Sequence, residues 1–309
     1  MKIALLFSGQ LRPLPHDLFK NSLQTLTKDL DCSIFSYCWR EQGKSLNHQK
    51  KISKTNLILN INDHINYMFD GFNLVNYGFE SFKEFDFFLS EKHKIIFNSN
   101  KYHFGTINSL PQIYTMHKCF QLLEKSNEKF DLIFRCRFDS IYIHPIKLFP
   151  LNKILNDNCL YNINFGRAYY PNRVYDIFFG GSRKSMNFLK TIWSDVPTLV
   201  NNQFSNGLDS RDSCRILFLA ANLDNIKVKS FNSRICDVLR NSYYEYTKYL
   251  ISSHLLKMNF NLRSLKTIKS ISQWLKKNNL INIKILFVFF RAFIYMPISY
   301  IKRIKYFKN

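Results

Sequence analysis

Acidic side chains are scarce in this chain. Its 309 residues carry 22 Asp and Glu against 44 Lys and Arg, a formal charge of +22. The shortage is local: Tyr246 to Asn309 contains 13 Lys and Arg and no carboxylate, so much of the basicity belongs to the tail. The seven Cys form no CxxC pair and no zinc-type spacing, which predicts reduced thiols and a cytosolic setting. The eight His form no HxH or HExxH, which removes support for a dedicated zinc site. GxGxxG, GxxxxGK[ST] and GxSxG are all absent, so nicotinamide-dependent, P-loop ATPase and serine hydrolase readings also lose support. The first apolar run, Ile3 to Phe7, is too short for a signal peptide or a membrane span.

What is present is a large apolar content. Hydrophobic residues make up 46% of the chain and include 30 Phe, which predicts a folded globular protein rather than a disordered one. Lys2 to Phe7 reads as a buried strand, Ser8-Gly9-Gln10 as a turn, Leu18 to Leu30 as an amphipathic helix and Asp31 to Trp39 as a second strand. Strand, helix and strand at this spacing predict a parallel sheet with ligands at the C-terminal strand ends. Further on, Ser109-Leu110-Pro111-Gln112 starts a helix running to about Glu124, with Pro in an early turn. Leu160 to Phe165 reads as a strand and Val174 to Ser182 as a strand ending in a glycine turn. Helices are expected over Arg183 to Trp193 and Asp209 to Ala221.

The most informative segment is Phe130 to Asp139, FDLIFRCRFD. Alternation places Ile133, Arg135, Arg137 and Asp139 on one strand face and Leu132, Phe134, Cys136 and Phe138 on the other. Buried charges are costly unless they pair or hold a ligand, so Arg-x-Arg-x-Asp at a strand's C-terminal end marks a polar site. An edge strand with a solvated face, or an internal Arg–Asp pair, is the alternative.

Three features occur in order: the first strand ending in Ser8-Gly9-Gln10-Leu11-Arg12, the Gln112 helix feeding FDLIFRCRFD, and YDIFFGGSRKSM from Tyr175. Over roughly residues 1 to 240 this resembles a group of bacterial glycosyltransferase-like proteins of surface-polysaccharide loci. They are related to the WavE family of lipopolysaccharide synthesis. The resemblance implies an α/β, GT-A-like (nucleotide-diphospho-sugar transferase) fold, a mostly parallel sheet flanked by helices over residues 1–245; the composition of the tail adds a basic helical extension over 246–309. It implies sugar transfer from a nucleotide-diphosphate donor to a glycan hydroxyl, of lipopolysaccharide or capsule type. Donor binding is carried onto Ser8, Gly9, Gln10, Arg12, Gln112, Arg135 and Arg137. An ordinary strand-to-helix turn remains the alternative for Ser8 to Arg12.

The family pattern places Asp-x-Asp where this chain has Arg137-Phe138-Asp139, so the first carboxylate is replaced by a cation. Asp139 is then either a ligand to Mg²⁺ or Mn²⁺ or a contact for sugar hydroxyls, with Arg135 and Arg137 neutralising phosphate directly. Asp176, Asp209 and Asp212 are the competing candidates for the base that takes the acceptor's proton. No nicotinamide, flavin or zinc is expected.

In the tail, an apolar run from Ile285 to Ile298 is interrupted by Arg291 and Pro297 and flanked by lysines. It reads as an interfacial helix through which residues 274–309 meet an anionic membrane surface, or as a helix packed on the core. The membrane reading implies a cytoplasmic protein peripheral on the inner face of the membrane, with a glycan or lipid-linked glycan acceptor. Two other functions compete. One is a catalytically inactive glycan-binding or scaffold relative of the same fold; the other is a basic nucleic-acid-binding protein, for which no RNP, KH, zinc-finger or helix-turn-helix signature is present.

Overall fold

The structure is a computed structural model that describes residues 1–11, 16–42, 56–57, 60–98, 104–142, 144–163, 172–205, 213–231 and 236–238. Seven strands form the central sheet: β1 (Ile3–Gln10), β2 (Cys32–Trp39), β3 (Asn73–Glu80), β4 (Leu132–Cys136), β5 (Cys159–Ile163), β6 (Phe179–Ser182) and β7 (Lys227–Phe231). Their order across the sheet is β7-β5-β6-β4-β1-β2-β3. Every pairing is parallel except those of β6, which runs antiparallel to both β4 and β5. The expected mostly parallel sheet with helices on both faces is therefore found.

Alternation decides what covers each face. Ala4, Leu6, Phe35, Ile133, Leu160 and Phe179 pack with Ile113, Met116 and Phe120 of the helix Phe104–Lys125. Ile3, Leu5, Phe7, Ile34, Leu132, Phe134 and Cys136 pack on the other face with Phe19, Leu23 and Leu26 of the helix His16–Leu26. Both layers are buried, as near-continuous apolar strands in a parallel sheet require. Phe7 is the hub of the second layer. Its ring lies 5.2 Å from Phe69, 5.7 Å from Phe138, 5.8 Å from Phe19 and 6.4 Å from Tyr142. Such pairs contribute about 0.5–1.5 kcal/mol each beyond area burial.

Several local expectations are corrected. Ser8, Gly9 and Gln10 are the last residues of β1, paired with Tyr37, Cys38 and Trp39, and not a turn. Gly9 has φ +122°, and a Cβ there would meet nothing within 4 Å, so the backbone conformation and not a close approach calls for glycine. The Gln112 helix begins at Phe104, which leaves Pro111 inside it. The helix expected over Arg183 to Trp193 is broken into Arg183–Met186, a tighter 3-10 turn over Asn187–Lys190, and a separate helix from Ile192. The helix expected from Asp209 is described over Ser213–Leu223, and residues 206–212 lie outside the described residues.

The glycine turn after Phe179 is a strand instead. Gly180 and Gly181 lie within β6, where they face Phe134 and Ile133 of β4 and Tyr161 and Leu160 of β5. A Cβ on Gly180 would stand 2.3 Å from Phe134 Cδ1 and 2.5 Å from the Ile133 carbonyl oxygen. The glycines thus let an antiparallel strand close between two parallel ones. Gly180→Ala is expected to destabilise the protein by about 1–3 kcal/mol, since the clash is partly with backbone that has nowhere to move. The change in urea midpoint measures it.

Candidate active site

The charged segment departs from a straight strand at its end. β4 stops at Cys136, and Arg137, Phe138 and Asp139 form a turn before the short strand Ser140–Tyr142. Two contacts fold that turn. The Phe138 ring inserts against Phe7 and Phe69, which anchors it in the apolar layer. Tyr142 Oη accepts from the Arg137 backbone N–H at 3.2 Å and donates to the Arg137 carbonyl at 3.1 Å. With Phe138 held below, the flanking charges turn back on one another: Arg137 Nε donates to Asp139 Oδ1 at 2.7 Å and Nη2 to Oδ2 at 2.8 Å. This is a bidentate guanidinium–carboxylate pair, the strongest and most directional of the ordinary ion pairs.

The third arm of the Arg137 fork, Nη1, reaches Asp176 Oδ2 at 3.4 Å. The same oxygen accepts from Ser213 Oγ at 3.0 Å and from Gln112 Nε2. Asp176 arrives from the segment before β6, Gln112 from the helix over the sheet and Ser213 from the first residue of its helix. Three separate stretches of sequence therefore converge on one carboxylate. The Arg137 side chain keeps 20% of its surface exposed, while Asp139 keeps 3% and Asp176 14%.

Arg135, one step back in the strand, is sealed in at 1% exposure. It donates through Nε to Ser8 Oγ at 3.3 Å and through Nη2 to the Ser8 carbonyl at 3.2 Å, tying β4 to the end of β1. Burial pushes its pKa down to about 10, with Asp176 opposing, and it remains a cation at neutral pH. Burial also works against the Arg137 cation, but Asp139 and Asp176 outweigh it and raise the pKa. For Asp176, burial would raise the pKa. Arg137 and Arg135, with the Gln112 and Ser213 hydrogen bonds, lower it below the ordinary 3.8. Cys136 faces the other layer, and burial pushes its thiol up to about 12, which makes it a poor nucleophile.

Of the residues singled out from sequence, the structure brings together Ser8 with Arg135, and Gln112, Arg137, Asp139 and Asp176. Gly9 and Gln10 lie at the adjoining end of β1. Arg12, Asp209, Asp212 and the tail 274–309 lie outside the described residues. Sequence reasoning missed Tyr142 and Ser213. The first is one aromatic among many, and the second stands beside two aspartates that carried the more obvious signal.

A divalent cation does not fit the described residues of this site. Both Asp139 oxygens accept from Arg137, and among the described residues no group of three or more His, Cys, Asp or Glu comes together. Any metal at Asp139 would sit against the guanidinium that already neutralises it. Nor, among the described residues, is any helix long and apolar enough to cross a membrane.

No protein-family model matches the chain, and no curated protein matches it. Among solved structures it is similar to mouse xyloside xylosyltransferase 1 in the apo form, with a TM-score of 0.43 and 10% identity over 75% of this chain and 85% of that one. It is also similar to a Desulfovibrio desulfuricans protein designated a candidate nucleotide-diphospho-sugar transferase. There the TM-score is 0.34, with 10% identity over 74% of this chain and 79% of that one. Likenesses of this size assign no activity.

The depressed Asp176 carboxylate makes a pH prediction. Its contribution to stability is complete above the unfolded pKa of about 3.8 and is lost as pH falls through the lower folded value. Asp176→Asn is therefore expected to lower stability at pH 7, and the gap to the native protein is expected to narrow below about pH 4. Urea unfolding at pH 7 and pH 3 checks both halves.

Proposed function

We propose that this chain is a glycosyltransferase of GT-A-like type that takes a sugar from a nucleotide-diphosphate donor. The observation that carries the reading is Arg137. It is a part-buried arginine just past the C-terminal end of a central strand, its guanidinium aimed by two carboxylates and backed by the buried cation of Arg135. In an open α/β sheet that edge is where ligands sit. Departure of a nucleoside diphosphate leaves negative charge on phosphate oxygens, and a fixed guanidinium stabilises that charge without reorganisation at the moment of reaction. Asp139 and Asp176 hold the fork in one orientation, and their own charge keeps it from being over-committed to the product.

In this reading Asp176 is a positioning residue. A carboxylate held ionised below its ordinary pKa is a weak base at neutral pH, so the acceptor's proton is assigned to Asp209 or Asp212. Gly9, Gln10 and Arg12 are assigned to the nucleotide. We read the transfer as metal-independent, with the two arginines doing the neutralising. We assign the acceptor to a surface glycan of lipopolysaccharide or capsule type. The basic stretch 274–309 is assigned to an anionic membrane at the cytoplasmic face, where each Lys or Arg contributes about 1 kcal/mol near the surface. The replacement of a carboxylate by Arg137 also favours a second reading, a relative that binds the donor or glycan without transferring it.

A thermal-shift screen of UDP-, GDP-, CMP- and dTDP-sugars, each with Mn²⁺ and with EDTA, tests ligand class and metal use together. Stabilisation by one nucleotide class, equal in Mn²⁺ and EDTA, is expected; none with any donor sinks the proposal. Arg137→Ala is expected to weaken binding of the matching nucleoside diphosphate about tenfold or more while changing nucleoside binding little, since the guanidinium serves the phosphates. Equal losses mark a structural arginine. Release of free sugar or transfer to an acceptor separates the enzyme from the silent relative.

A further inference from the structure

Arg137 stands past the end of both ladders that hold β4. Register with β1 ends where Phe7 faces Cys136, and register with β6 ends where Phe179 faces Arg135. Neither ladder reaches the Arg137 backbone, yet its N–H and C=O still need partners. The Tyr142 phenol meets both. Its Oη accepts from the Arg137 N–H at 3.2 Å and donates to the Arg137 carbonyl at 3.1 Å, while the Ser140 N–H gives that carbonyl a longer bond of 3.4 Å. One hydroxyl thus does at Arg137 what an adjacent strand does for the residues before it.

The phenol is itself held in place. Tyr142 is 1% exposed, and its ring lies 6.4 Å from Phe7 and 5.9 Å from Phe178. Its backbone N–H donates at 2.6 Å to Oγ of Ser22, a buried residue of the helix His16–Leu26. A phenylalanine would keep the same ring contacts, so packing alone does not call for a hydroxyl here. The hydroxyl fixes the backbone of Arg137, and with it the direction in which the guanidinium leaves the chain. The bidentate pairing of Arg137 with Asp139, two residues on, depends on the same turn.

We propose that Tyr142, seated by Ser22, is a positioning residue that presets the Arg137 guanidinium for the diphosphate of the donor. This rests on the transferase reading above. Tyr142 acts through Arg137 and touches no reacting atom. Misplacing a binding group by about 1 Å costs up to about a hundredfold, and losing one hydrogen bond loosens the turn without removing the charge. The effect of removing the hydroxyl therefore lies between none and that of deleting the guanidinium.

The test is calorimetric titration of the full chain with UDP, GDP, CDP and dTDP and with the four matching nucleosides. The diphosphate that the native protein binds, and its nucleoside, are then titrated into Tyr142→Phe, Arg137→Ala and Phe130→Leu. Phe130 packs on Phe35 at the other end of β4, so Phe130→Leu lowers the urea midpoint without touching the turn. Tyr142→Phe is expected to weaken the diphosphate about fivefold and to leave the nucleoside within about twofold. Phe130→Leu should leave both within about twofold. Should Tyr142→Phe not fold, Ser22→Ala carries the same comparison, because it removes the seat and keeps the phenol. A diphosphate affinity unchanged by Tyr142→Phe, equal losses for both ligands, or an equal diphosphate loss in Phe130→Leu overturns the assignment. If Arg137→Ala weakens the diphosphate and Tyr142→Phe does not, only the role of Tyr142 falls; if the native protein binds no diphosphate, the transferase reading falls and this role with it.

Discussion

A guanidinium shared between two carboxylates is the constraint on which the rest of this structure turns. Arg137 cannot face the sheet interior unpaired, because an isolated buried charge is among the most costly features a fold can hold. Its partners Asp139 and Asp176 are equally unable to be buried alone. Satisfying all three requires the chain to turn after Cys136, the Phe138 ring to anchor that turn, and the segment before β6 to deliver Asp176 from far along the sequence. Gln112 and Ser213 then complete Asp176 from two further helices. The charge triad and the packing of the sheet are thus one problem with one solution.

The glycines of β6 belong to that solution. An antiparallel strand between β4 and β5 places the residues before it beside the end of β4, which is where Asp176 is needed. The strand fits only because Gly180 and Gly181 remove two side chains from a gap that Phe134, the Ile133 carbonyl and the Cys159 carbonyl already fill. Backbone approach here sets a carboxylate several residues away. The polar site therefore depends on an apolar, steric feature of the sheet.

Much of this was legible in sequence, and the reasons for the remainder are physical. The period-2 pattern of FDLIFRCRFD placed Leu132, Phe134, Cys136 and Phe138 in one layer and Ile133 in the other, because strand alternation is a local property. The same pattern carried Arg137 and Asp139 along as strand residues, which the structure corrects. Where two opposite charges stand two residues apart, a turn that pairs them competes with continued extension, and it prevails when an intervening ring has a pocket to fill. Ser8 to Gln10 were misread for the opposite reason. Small and polar residues signal a turn, yet pairing with Tyr37, Cys38 and Trp39 keeps them in the strand. Ser213 and Tyr142 were invisible because their importance lies in partners elsewhere in the fold.

The unequal burial of the two arginines divides their work. Arg135 is locked to Ser8 by two bonds and has one nitrogen left over, so it acts as a fixed source of positive potential beneath the site. Arg137 is partly exposed and ringed by acceptors, so it meets an anion with its orientation already set and little entropy left to lose. A carboxylate in its place would need a metal ion to attract the same phosphate and would lose the site when the metal left. A guanidinium carries the charge covalently. Its cost is that two carboxylates must be buried with it, and the three-way convergence of strand end, helix and antiparallel insert meets that cost.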